Sequence, residues 1–231
     1  MISEIRFPLI LVNLKTYREA SRRNALRLAV IAEEVSRKTG VCIAVAPQPL
    51  DVLKIAEVAR VPIVAQHVDP VGCGQYTGHL PPEAFAEAGC AGALINHSER
   101  RIDMNIIEQT IRRVRETKMV PIVCTDSVET SRIIARFKPD AIAIEPPELI
   151  GTGTPVSKAK PEVVSGAVEA VKSINTGLKV LCGAGITGGE DVAIALELGA
   201  EGILVASGVV KSKDQYGILM EFADAVRKHV H

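Results

Sequence analysis

Short runs of continuous apolar residues alternate with longer stretches of helical periodicity from one end of the chain to the other. The runs are Leu9–Asn13, Val41–Ala46, Val61–Ala65, Ala91–Ile95, Val120–Cys124, Ala141–Glu145, Lys179–Cys182 and Gly202–Ala206. They are continuously apolar rather than alternating, which predicts strands covered on both faces. Between them, amphipathic helices are predicted. Leu28, Ile31, Ala32 and Val35 share one face, with Gly40 as a stop. Ile106, Ile107, Ile111 and Val114 share another, after Asp103 as an N-cap. Val192, Ala195, Leu196 and Gly199 form a third, and Ile218, Phe222, Ala225 and Val226 a fourth. Pro81, Pro82 and Pro161 sit where helices would begin, where a missing N–H is no loss.

Two internal echoes support a repeated unit. Glu87 to Ile95 and Glu197 to Val205 both read as helix end, glycine stop and buried strand, and Val61 to Ala65 echoes Val120 to Cys124. Eight strand–helix units predict an α/β fold, a closed (β/α)8 barrel in one domain over residues 1–231. The competing open, doubly wound sheet has fewer strands, and no G-x-G-x-x-G follows the first run.

Composition narrows the picture. The 231 residues are 47% hydrophobic and 23% charged, and 27 basic residues balance 27 acidic ones. A zero net charge removes the electrostatic argument for nucleic acid or an anionic membrane as partner. No apolar run approaches the ~20 residues a membrane span requires, and the start of the chain lacks a signal-peptide pattern. Five unclustered cysteines, four of them in apolar runs, predict reduced buried thiols and a cytoplasmic setting. Five Asn, five Gln and no Trp, with interleaved helix charges, lean towards a heat-tolerant source.

In a barrel of this kind the strand C-terminal ends form the site. The densest polar cluster is there: Asn96-His97-Ser98-Glu99-Arg100-Arg101 follows the fourth run. Taken alone it also fits a plain helix start, with Ser98 as cap. Asn13 and Lys15 follow the first run, two residues apart and so on one face, and can stabilise negative charge. Glu145 closes the sixth run before Pro146 and Pro147, where a buried carboxylate must be paired or used. Gly183-Ala184-Gly185 and Ala206-Ser207-Gly208, after the seventh and eighth runs, can offer backbone N–H groups to an anion. The Gly/Pro-rich stretch between Pro146 and Lys158 suits a moving lid.

These residues, taken in order, resemble the triosephosphate isomerase family, and most closely its shorter archaeal branch. The matching pieces are Asn13-x-Lys15, His97 to Arg100, Glu145 to Gly153 and the two small-residue turns. The resemblance implies a TIM barrel that interconverts dihydroxyacetone phosphate and D-glyceraldehyde 3-phosphate in glycolysis and gluconeogenesis. It implies Glu145 as the base and His97 as a neutral electrophile. It implies that Lys15 stabilises the enediolate and the phosphate, that Asn13 shapes the oxygen-binding side, and that Glu99 pairs with Lys15 from behind. Ile150, Gly151, Gly185, Ala206 and Ser207 would hold the phosphate through backbone N–H groups. No cofactor and no metal are implied. A homo-oligomer is, with a tetramer favoured over a dimer and the loop Gln66 to Leu80 reaching a neighbour. Two departures stand out: Leu14 where many members carry Trp, and no serine in the turn Cys182 to Gly185.

Rival readings make distinct demands. A Schiff-base aldolase needs a lysine in mid-strand six or seven. The sixth run has none, and Lys179 starts the seventh at the wrong end. A non-catalytic phosphate binder would not require Glu145 and His97 together. His67, Cys73 and His79 offer zinc-type ligands but no fourth ligand and no tight pair, so no metal is expected there.

Overall fold

The computed structural model describes residues 3–146 and 160–230. Its eight parallel strands are β1 (Leu9–Asn13), β2 (Cys42–Ala46), β3 (Val64–Ala65), β4 (Gly92–Ile95), β5 (Val120–Thr125), β6 (Ala141–Ile144), β7 (Lys179–Cys182) and β8 (Gly202–Val205). They form one sheet in the order β2-β1-β8-β7-β6-β5-β4-β3. A single parallel bridge, Val45 to Ile63, brings its two edges together, so the barrel is nearly closed.

The helices are α1 (Arg23–Thr39), α2 (Val52–Val58), α3 (Pro82–Glu87), α4 (Met104–Glu116), α5 (Val128–Ala135), α6 (Pro161–Lys172), α7 (Gly189–Glu197), α8 (Ser207–Val210) and α9 (Gln215–Val230). Their apolar faces follow the predicted periodicity, with Leu28, Ala32 and Val35 on α1, Ile107, Ile111 and Val114 on α4, Val192, Ala195 and Leu196 on α7, and Phe222 and Val226 on α9 buried, whereas Gly199 lies past the end of α7 and is exposed. Pro82 and Pro161 open α3 and α6. Asp103 occupies the N-cap of α4, but its side chain makes no cap hydrogen bond.

Strand alternation sorts the core into two layers. Leu9, Leu11, Ala44, Val64, Leu94, Ile122, Ala143, Leu181 and Leu204 fill the barrel interior. Ile10, Val12, Ile43, Val45, Ile142, Val180 and Ile203 face outward to the helices. This is why the strands read as unbroken apolar runs. It also fixes direction at the rim: the inward face that carries Leu9 and Leu11 carries Asn13 next, Ala143 is followed by Glu145, and Leu181 by Gly183.

Most strands match their predicted bounds to within one residue, but β3 and the segment after His97 depart further. The echo between residues 61–65 and 120–124 is not matched in structure, since β3 keeps only two residues while β5 has six. Pro62 has no N–H to give a ladder, so pairing starts only at Ile63, whereas the Val120 N–H already bonds Ala91 O ahead of Pro121 at 2.9 Å. The segment after His97 is a turn, not a helix start. The Arg100 N–H bonds His97 O at 2.7 Å, α4 begins only at Met104, and the Ser98 hydroxyl is buried with no hydrogen-bond partner.

Candidate active site

Five separate strand ends deliver residues to one cavity at the C-terminal rim. Asn13, Lys15, His97, Glu145, Gly183, Gly185, Ala206 and Ser207 all line it. Of the residues predicted from sequence, Ile150 and Gly151 lie outside the described residues, as does nearly all of the stretch read as a lid.

Glu145 is placed by an extension of the sheet. Its N–H bonds Thr125 O at 2.7 Å, one step past the end of β6, and the Gly183 N–H bonds Ile144 O at 2.9 Å. Its carboxylate is buried, with Oε1 3.3 Å from His97 Nε2. Oε2 has no hydrogen-bond partner. A buried carboxylate that lines the cavity beside His97 is desolvated enough to act as a base towards a bound ligand. Gly183 leaves room for this side chain, because a Cβ there would lie 2.6 Å from Glu145 Cγ.

The turn after β4 sets the state of His97. Nδ1 accepts the Glu99 N–H at 3.2 Å, so the ring carries its proton on Nε2. The Glu99 carboxylate is also near Nδ1, at 3.8 Å, but the backbone bond is the shorter and already uses the lone pair. Nδ1 is thereby taken up as an acceptor, which leaves Nε2, on the cavity side, as the nitrogen that can donate to a carbonyl. Asn96, with φ +61, holds this turn. Its Nδ2 donates to Cys124 O at 3.1 Å, and its Oδ1 accepts the Ile102 N–H at 3.0 Å.

Lys15 supplies the cation. Its Nζ bonds Glu99 Oε1 at 2.9 Å, with the lysine side chain 14% exposed and the glutamate 58%. Glu99 therefore stands behind Lys15, outside the cavity. Asn13 is buried, and its Oδ1 accepts the Lys15 N–H at 3.0 Å, which turns Nδ2 to within 3.4 Å of His97 Nε2. The two small-residue turns meet: a Cβ on Gly208 would lie 2.4 Å from Ile186 O, so only glycine lets these loops close together. Such turns can present several N–H groups to a phosphate.

Cys124, at the end of β5, is fully buried. Burial first, and the neighbouring Glu145 charge second, push its thiol well above its ordinary range, so it is inert. Cys42, Cys90 and Cys182 are buried as predicted, whereas Cys73 is exposed. The loop once weighed for zinc is arranged otherwise. His67 Nε2 pairs with Asp69 Oδ1 at 3.0 Å, while His79 stacks edge-on against Tyr76. Gln66, expected only as the start of a loop, belongs to the site. Its amide reaches Asn13 Oδ1, Lys15 O and Ala46 O, and period-2 alternation from the inward Val64 is the signal that points to it.

Comparison with known proteins agrees with this geometry. The triosephosphate isomerase family model matches residues 8–227. The chain is 51% identical over 214 residues to the triosephosphate isomerase of Methanothermus fervidus, covering 93% of this chain and 96% of that one. It is 53% identical over 206 residues to that of Methanocaldococcus jannaschii, covering 89% and 94%. The fold matches the crystal structure of triosephosphate isomerase from Bartonella henselae with a TM-score of 0.72 at 19% identity, covering 95% of this chain and 99% of that one. No helix among the described residues is long and apolar enough to cross a membrane.

Proposed function

Because the chain belongs to the triosephosphate isomerase family, and is on that ground an isomerase, we propose that it interconverts dihydroxyacetone phosphate and D-glyceraldehyde 3-phosphate through an enediolate. One observation carries the assignment of roles: the carboxylate of Glu145 and the Nε2–H of His97 lie 3.3 Å apart in the cavity that Lys15 and both small-residue turns also line.

Glu145 removes a proton from the carbon next to the carbonyl and delivers it to the neighbouring carbon of the enediolate, which completes the isomerisation. His97, neutral, donates from Nε2 to the carbonyl oxygen and then moves protons between the two oxygens. Lys15 offsets the negative charge that develops, and Asn13 shapes the oxygen-binding side. Glu99 supports Lys15. Such a proton is removable only where the oxyanion is stabilised as it forms. Gly185, Ala206 and Ser207 bind the phosphate through backbone N–H groups, joined by Ile150 and Gly151 from a lid over 146–158. Binding of the unreactive phosphate drives closure, and a closed site keeps the enediolate from losing phosphate. The chain acts as one barrel domain in a cytoplasmic homo-oligomer, a tetramer rather than a dimer, within glycolysis and gluconeogenesis.

A coupled assay on glyceraldehyde 3-phosphate, with Glu145→Asp alongside, tests this. Retracting the carboxylate by ~1 Å is expected to lower kcat at least ~10²-fold with the fold retained. A variant within a factor of a few of wild type removes Glu145 as the base.

A further inference from the structure

A thinly bonded seam of the barrel lies one strand from the cation of the site. Strand β3 is two residues long, and its link to β2 is the bridge from Val45 to Ile63. Gln66 follows β3 directly, with its side chain turned inward. Its Nε2 lies 2.9 Å from Ala46 O at the end of β2, 3.0 Å from Lys15 O beyond β1, and 3.4 Å from Asn13 Oδ1. An amide nitrogen carries two hydrogens. The two carbonyls, being closer, take them.

Lys15 needs such a hold. Its φ of +45 lies in the left-handed region, which a non-glycine residue keeps only where its surroundings over-determine it. Asn13 Oδ1 holds the N–H of Lys15, and Glu99 holds its ammonium. Gln66 holds the third point, the carbonyl. A side chain that only stitched the seam would need the Ala46 carbonyl alone; the second hydrogen goes to a residue outside the sheet. The residue type fits the task. A lysine or arginine at 66 would set a second cation beside Lys15, and a glutamate would turn oxygen towards carbonyl oxygens.

We propose that Gln66 is a positioning residue for the isomerisation, whose amide fixes the backbone of Lys15 so that the ammonium stays over the substrate. The inference rests on the reading of Lys15 as the cation that stabilises substrate charge.

Two variants test it. Gln66→Met keeps the reach and loses both donors, and Gln66→Glu keeps the shape and replaces the donor nitrogen with oxygen. Each is assayed on glyceraldehyde 3-phosphate after circular dichroism has established folding. A misplaced ammonium is expected to raise KM and lower kcat, each by at least ~5-fold. A residue that only stabilised the barrel would lower the melting temperature and the active fraction while KM stayed at the wild-type value. A KM within twofold of wild type in whichever variant folds overturns the inference. A wild-type enzyme inactive on triose phosphates overturns the functional reading instead, so the two failures are distinct.

Discussion

Gly183→Ala moves the base without touching it. A Cβ at 183 would lie 2.6 Å from Glu145 Cγ and 3.0 Å from Ile144 O, about 0.8 Å inside the 3.4 Å at which ordinary contact begins. The backbone of 183 cannot retreat, since its N–H is bonded to Ile144 O at 2.9 Å. The side chain of Glu145 must yield, and it is already confined between this backbone and His97. A shift of ~1 Å at a proton-abstracting group costs on the order of 10²-fold in rate, about 2.7 kcal/mol of activation free energy. Overpacking should also destabilise the fold by ~1–3 kcal/mol, which leaves a folded enzyme to assay. Steady-state kcat in the coupled assay is expected to fall ~10²-fold, with KM little changed because the phosphate turn at Gly185 lies beyond the contact. A folded Gly183→Ala enzyme with kcat within ~3-fold of wild type would falsify the claim that this contact holds Glu145 in its working position.

His97→Gln is expected to lower kcat at least ~10²-fold while competitive inhibition by inorganic phosphate stays at the wild-type level; unchanged turnover removes His97 from the mechanism. Iodoacetamide on the native protein at pH 7 is expected to leave Cys42, Cys90, Cys124 and Cys182 unlabelled, because burial shields them and pushes the Cys90 and Cys182 thiols up to about 12. Mass spectrometry counts the adducts, and more than one before unfolding contradicts this packing. Burial opposes the charge on Glu201, but Lys172 and Lys179, at 2.7 and 2.6 Å, outweigh it and hold the carboxyl below its ordinary value of 4.5. Its stabilising contribution is then complete above pH 4.5 and lost as pH falls through the lowered folded value. Urea midpoints should show Glu201→Gln less stable than wild type at pH 7 and the gap closing below pH 4.5; a gap independent of pH contradicts the pairing.

Much of this was legible before any coordinates, and the reasons are local. Continuous apolar runs mark strands covered on both faces, so Leu9–Asn13 and Lys179–Cys182 match their expected bounds. Asn13 and Glu145 stand out because each ends such a run with a polar group on the inward face. What stayed hidden depends on backbone groups brought from elsewhere in the chain. The tautomer of His97 follows from the Glu99 N–H, which no residue type announces. Gln66 acts on carbonyls of two other segments, so its chemistry is written at positions 15 and 46 rather than at 66. Ser98 misleads in the other direction: it has the identity of a cap in a turn that opens no helix.

Glu145 and Lys15 are held in different ways, and each hold suits what the group has to do. Glu145 sits between β5 and β7, where β6 pairs over four residues with β5 and over four with β7, and the bonds to Thr125 O and Ile144 O extend both ladders past the last strand residue. Proton abstraction is the step least tolerant of displacement, and its base stands on a strand end laddered on both sides. Lys15 lies two residues past the end of β1, where side chains rather than a ladder hold its backbone: Asn13 Oδ1 takes its N–H and Gln66 Nε2 its carbonyl. A point charge tolerates this better. Coulomb energy falls only as the inverse of distance, so a 1 Å retreat from ~4 Å weakens it by about a fifth, against the ~10²-fold penalty for a base. The two perturbations are therefore ordered by the physics of the groups they disturb. Gly183→Ala, which moves the base, should cost more in kcat than Gln66→Met, which loosens the cation. The reverse order would mean that Lys15 does more in the rate-limiting step than stabilise charge.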